Sequence, residues 1–218
     1  MARRTPAQAW NEMVRGNERF VGGAPAHPRQ DVERRSELVA EQRPLSALFG
    51  CSDSRLAAEI IFDKGLGDLI VVRNAGQIIS DSVVGSLEYS VAVLEVPLIV
   101  VLGHDNCGAV NGAIHMLGAN ATPLPPHIAT MVTRITPAIR RVAGAAGQFA
   151  PDGTLNPDEV DALAVGREHL RDTIAELMES SELITQAISD GNLAIVGANY
   201  RLGQGLVQPD VVIGNIAH

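Results

Sequence analysis

Leu45 to Arg55 reads LSALFGCSDSR, an apolar run that ends in a cysteine, an aspartate and an arginine at alternate positions, Cys51, Asp53 and Arg55. A run with so little polar alternation is the pattern of a strand buried on both faces. A second run, PLIVVLG from Pro97 to Gly103, leads in the same way to His104 and Cys107. Parallel strands in an open α/β sheet present their carboxyl ends on one edge, so two such ends can converge although distant in sequence. That edge is the expected seat of function.

Outward from these two runs, Leu69–Arg73 (LIVVR) and Leu193–Asn199 (LAIVGAN) read as further buried strands, and 205–212 as an edge strand. Helical spacing appears between them. Pro6–Val21 carries Trp10, Met13, Val14, Phe20 and Val21 as an amphipathic stripe, and Ser80–Leu94 carries Val83, Val84, Leu87, Val91 and Leu94. Gln30–Gln42 is polar and reads as a helix closed by Pro44; Leu56–Phe62 reads as a short one. Cys107–Leu117 follows, with Asp105 or Asn106 as its cap. Ile128–Val142 should kink or break at Pro137, and Asp158–Glu179 and Leu183–Ile188 complete the set. Strand and helix alternate, which predicts an α/β fold: four parallel strands plus an edge strand, covered by helices, with an N-terminal helical arm.

The 218 residues suit one fairly large domain. Hydrophobic residues make up 46% of the chain and aromatics 3%, so Ala, Val, Leu and Ile must fill the core. A formal net charge of -8 argues against general binding to nucleic acid or anionic membranes, which draws on clustered Lys and Arg. No apolar run approaches the roughly 20 residues needed to span a bilayer, and no apolar signal core is visible near the N-terminus. Arg3 and Arg4 hint at organelle targeting, but Glu12 and Glu18 follow closely, so the expectation is a cytoplasmic protein. Two cysteines are too few for a disulfide scaffold.

Zinc favours thiolate and imidazole donors, and a catalytic site keeps one of four positions for water or substrate. Cys51, His104 and Cys107 supply three donors. Each piece also has a plainer explanation: two buried or disulfide-bonded cysteines, and an ordinary Asp53–Arg55 ion pair. The combination C-x-D-x-R after one buried strand and H-x-x-C after another favours the metal site. His27, His115, His127, His169 and His218 stand outside these motifs. No phosphate-loop or dinucleotide pattern follows a strand.

Together, CSDSR at 51–55, RNAG at 73–76, EY at 88–89 and GHDNCG at 103–108 closely resemble the β-class carbonic anhydrases, over most of the chain from about Trp10 to about Val212. The resemblance implies one domain over 1–218, with a helical arm over 1–42 and the α/β core over 43–218. It implies one Zn2+ per subunit, held by Cys51, His104 and Cys107, and reversible hydration of carbon dioxide to bicarbonate and a proton by zinc-bound hydroxide. Asp53 and Arg55 would be the catalytic pair, with Asp53 a fourth metal ligand whenever the ion pair opens. By position Gln42 matches the glutamine that hydrogen-bonds substrate, and Ile70, Ala75, Leu87 and Tyr89 match the apolar lining. Part of that lining comes from a neighbouring subunit, which implies a homodimer or a dimer of dimers. The stripe with Trp10 and Phe20 would then reach across the dimer, although it could equally cover its own core.

One subgroup of the family has a second bicarbonate site built around a tryptophan three residues before the first zinc cysteine. Leu48 stands there, while Arg73 and Tyr200 match other parts of that site, so the open, non-allosteric subgroup is expected. A carbonyl sulfide or carbon disulfide hydrolase on the same fold is the nearest alternative. A catalytically silent zinc-binding regulator is the other, and the retention of Asp53 and Arg55 speaks against it.

Overall fold

The computed structural model describes residues 4–217, so Arg3 and His218 lie outside the described residues. The chain runs α1 (Pro6–Val21), α2 (Val32–Glu37), β1 (Ser46–Cys51), α3 (Ala58–Ile61), β2 (Leu69–Asn74), α4 (Asp81–Ala92) and β3 (Leu98–His104). It continues through α5 (Gly108–Met116), α6 (Pro126–Thr133), α7 (Thr136–Ala145), α8 (Ala162–Ser180), α9 (Glu182–Ser189), β4 (Ala194–Arg201) and β5 (Leu206–Ile213). The sheet order is β2-β1-β3-β4-β5, with every pairing parallel except β4–β5. β1 and β3 are buried at every residue, as their unbroken apolar runs require. The antiparallel edge strand β5 is only partly buried and tolerates Pro209, since an edge has backbone groups that need no ladder partner.

From β1 the chain moves outward to β2 and then crosses back to β3 on the other side. The crossovers diverge between β1 and β3, and a doubly wound sheet opens a crevice at that switch point, at the carboxyl ends of the strands. Helices cover both faces. One core cluster gathers Trp10, Met13, Leu48, Leu102, Ile114 and Ile139; the other gathers Phe49, Leu87, Val101, Leu170 and Ile195. Trp10 and Met13 are thus covered by their own chain.

Three helices depart from their expected bounds for identifiable reasons. α2 stops at Glu37 because it buries nothing, and Val39 beyond it is exposed. The 128–142 segment divides into α6 and α7, with Pro137 accommodated in the first turn of α7, where its missing N–H costs nothing. α8 starts at Ala162 rather than Asp158, because the Asp161 carboxylate accepts the Leu163 and Ala164 N–H groups as an N-cap.

The segment after α1 is tied down by one buried carboxylate. Asp63 accepts the Ala26 N–H (2.9 Å), the His27 N–H (2.9 Å) and the Arg19 Nε–H (2.6 Å). Burial alone would raise its pKa, but the Ala26 amide, the Arg19 guanidinium and the His27 amide outweigh it and hold the pKa below the usual value. A depressed pKa stabilises the fold above the unfolded value of roughly 4, and that contribution disappears as pH falls through the folded value. Asp63→Asn should therefore lower stability by about 2–3 kcal/mol in urea melts at pH 7, with the deficit shrinking below about pH 4. An equal deficit at both pH values would show that charge is not the cause.

Candidate metal centre

β1 delivers Cys51 at its last residue and β3 delivers His104 at its last residue, on either side of the switch point. Cys107 follows three residues after His104, past the turn made by Asn106, whose φ is +50°. It is itself the N-cap residue of α5, the place expected for Asp105 or Asn106. The donor atoms of Cys51, His104 and Cys107 all lie within 4.8 Å of one another, and all three residues are buried. Zn–S bonds of about 2.3 Å and Zn–N bonds of about 2.0 Å place the donors of a tetrahedral ion roughly 3.5–4 Å apart, so this cluster fits one ion with little adjustment.

The imidazole is pre-set for the task. His104 Nδ1–H donates to the Asp105 carbonyl at 2.8 Å, which leaves Nε2 as a bare lone pair. That Nε2 is buried with no hydrogen-bond partner. Buried polar atoms are normally paired, so an unpaired lone pair beside two sulfurs fits a ligand to a cation. Both cysteines are free thiols, and a disulfide is not formed. The Cys107 thiol holds the Cys51 pKa down, with the amides of Gly76 and Asp53 acting in the same direction against the cost of burial. Cys107 moves the opposite way, because it holds the shared proton against Cys51 in a buried place. A cation between the sulfurs would take both as thiolates.

Beside the donors, Asp53 and Arg55 form a two-pronged pair. Arg55 Nε–H donates to Asp53 Oδ1 at 2.8 Å and Nη2–H to Oδ2 at 2.6 Å, while the Arg55 backbone N–H takes Oδ1 at 3.0 Å. This guanidinium holds the Asp53 carboxyl well below the usual carboxylate range. Arg55 also reaches the Asn106 carbonyl at 3.3 Å, linking the turn after β1 to the turn before Cys107. Asp53 is not among the clustered metal donors. Its carboxylate is paired with Arg55 instead.

Sequence reading passed over the braces behind these residues. Arg73 Nε–H donates to the Cys51 carbonyl (2.9 Å) and its Nη2–H to the Asp53 carbonyl (2.5 Å), which fixes the CSDSR turn. The Gly76 N–H points at Cys51 Sγ at 3.4 Å. RNAG was visible as a motif, but nothing in its spacing announced that a backbone amide would serve a sulfur.

The expected substrate residues divide. Ala75 adjoins Gly76 and so lies at the centre. Gln42 is exposed and precedes β1, whose length of roughly 17 Å separates it from its own Cys51. Ile70 pairs with Ala47, toward the start of β2, and packs against the other core cluster. Leu87 is 0% exposed within that cluster, so it has no surface to offer a substrate in this chain. Tyr89 is 51% exposed on α4. The resemblance placed part of this lining in a neighbouring subunit; here strand direction separates Gln42 from its own chain's Cys51, and Ile70 and Leu87 pack with the core cluster that does not contain Cys51.

Fold and donors together define a class: an α/β protein with a buried Cys-His-Cys cluster, fit for a metal, at the switch point of its sheet. The carbonic anhydrase family model matches residues 46–207. "Carbonic anhydrase 2" of Mycobacterium tuberculosis is 45% identical over 99% of this chain and 98% of its own length. The carbonic anhydrase of Mycolicibacterium smegmatis is 44% identical over 99% and 98%. Among solved structures, one of two tetrameric β-carbonic anhydrases from Sordaria macrospora superposes with a TM-score of 0.69 at 22% identity, over 92% of this chain and 95% of that one. The chain belongs to the β-carbonic anhydrase family, and it is an enzyme of that family.

Proposed function

We propose that the chain catalyses the reversible hydration of carbon dioxide to bicarbonate and a proton with one zinc ion held by Cys51, His104 and Cys107. The observation that carries this reading is the buried, unpartnered His104 Nε2 facing two sulfurs, with the Asp53–Arg55 pair alongside. When bound, zinc supplies the Lewis acidity that makes water a nucleophile near neutral pH. The rest falls to side chains. Ionised Asp53 can only accept hydrogen bonds, and three are already taken: two at Oδ1 and one at Oδ2. The lone pair left on Oδ2 receives one O–H of the attacking water and turns the oxygen lone pair toward carbon dioxide. Arg55 keeps that carboxylate from swinging onto the metal, and Arg73 keeps the turn beneath it still.

A second copy would complete the pocket, because Gln42 and Ile70 can serve only a centre other than their own. β2 supports this: it is an edge strand whose apolar residues Leu69 to Val72 are only partly buried. We infer a homodimer or a dimer of dimers, each subunit acting as one domain with a helical arm over its first 42 residues. Among the described residues no helix is long and apolar enough to cross a membrane. Free, buried thiols suit action in the reducing cytoplasm.

The test is zinc content per chain together with steady-state hydration across pH, run beside carbonyl sulfide and carbon disulfide hydrolysis. Near one zinc per chain is expected, with hydration dominant and rising between about pH 7 and 8.5 as the attacking water ionises. Faster turnover of the sulfur compounds would reassign the substrate. A metal-free protein would remove the reading altogether.

A further inference from the structure

The turn that carries the Gly76 amide is closed locally, by the Gln77 N–H to the Asn74 carbonyl at 3.3 Å and by the Asn74 side chain to the Ile78 backbone at 2.7 Å, and it is gripped a second time from outside. Gly76 has φ +80° and Gln77 has φ +44°, and the second is a conformation that a glutamine adopts only under constraint. Part of the constraint is the Asn74 turn itself, and the outer part comes from α8. His169 Nε2–H donates to the Gly76 carbonyl at 2.7 Å, and the Thr173 hydroxyl, one helical turn on, bonds the His169 carbonyl at 2.9 Å and reaches the Gln77 carbonyl at 3.4 Å. His169, Thr173 and Gln77 are all buried, so water does not substitute for these bonds. α8 can lie this close to the sheet because Gly197 of β4 has no side chain: a Cβ there would sit 2.5 Å from Ile174 Cδ1.

We propose that His169, seconded by Thr173, is a positioning residue for the metal centre: by gripping the Gly76 carbonyl it aims the Gly76 N–H at the Cys51 sulfur. This rests on the reading that Cys51 is a metal ligand. The physical reason is that the Gly76 carbonyl and N–H lie in adjacent peptide planes joined only through the φ and ψ of Gly76, so a bond that holds the carbonyl restrains ψ and, with the Asn74–Gln77 turn closed, narrows the directions open to the N–H. An N–H directed at a thiolate withdraws charge from sulfur and fixes its orientation, as outer partners do for metal ligands generally. His169 touches neither metal nor substrate, and its effect must appear in the properties of the bound ion.

The experiment compares wild type, His169→Leu and His169→Gln for zinc affinity by chelator competition and for the sulfur-to-metal charge-transfer bands of the cobalt-substituted protein. Leucine fills the buried space without a donor; glutamine returns an N–H close to where Nε2–H stood. His169→Leu is expected to bind zinc roughly 10–100-fold more weakly with displaced bands, and His169→Gln to return within about threefold of wild type with bands restored. Equal affinity and bands in wild type and His169→Leu would overturn the proposal, as would equal weakening in both variants, which marks packing alone. Should His169→Leu fail to fold, Thr173→Val is read the same way: a smaller band displacement in the same direction supports the proposal, and unchanged bands overturn it. Wild-type protein that binds neither zinc nor cobalt would instead sink the metal reading itself.

Discussion

Cys107→Ala should yield a folded protein that holds no zinc after dialysis and has lost hydration activity, with both losses larger than the roughly 100-fold upper range seen for outer-shell changes. Three protein donors are the least that a catalytic zinc site uses, and removing one leaves a thiolate and an imidazole, a pair that grips no ion firmly. The fold should survive, since Cys107 is a small residue at the head of α5 and that helix still buries Val110, Ala113 and Ile114. Metal analysis, circular dichroism and a hydration assay on one preparation separate the possibilities. Full zinc in Cys107→Ala would mean that the donors lie elsewhere, and loss of structure along with metal would mean that the centre staples the fold.

The two strands that carry the donors were legible because burial on both faces leaves a plain mark, an apolar run without alternation, and β1 and β3 end within a residue of where those runs end. The convergence of Cys51 on His104 was legible for a topological reason: parallel strands share an edge. What stayed hidden depends on direction and face. Gln42 and Cys51 are only nine positions apart, yet the strand between them carries one to each end of the sheet. Leu87 and Cys51 belong to cores on opposite faces, a fact that no linear spacing expresses. His169 lies in a helical pattern that reads simply as amphipathic, and its bond to Gly76 spans 93 positions. Helix ends were misjudged where a single side chain decides them, as with Asp161 at the head of α8.

Asp53→Asn separates chemistry from metal holding. The variant should keep about one zinc per chain, because Asp53 stands outside the donor cluster, while hydration falls by roughly 10²–10⁴-fold, the usual range for removing a positioned proton acceptor. An amide in that place offers one oxygen where two stood and presents N–H toward the water that must donate, so the oxygen lone pair is no longer turned toward carbon dioxide. Arg55 also loses the charge that holds it in place. Arg55→Lys should land between: the carboxylate survives, but a single ammonium cannot reproduce the Nε and Nη2 fork that orients both oxygens. The ordering wild type, Arg55→Lys, Asp53→Asn at constant zinc is what an orienting acceptor demands. Were Asp53→Asn to hydrate carbon dioxide at the wild-type rate, the pair would be an ordinary surface ion pair, and the proton would have to leave the attacking water by a route that avoids this carboxylate.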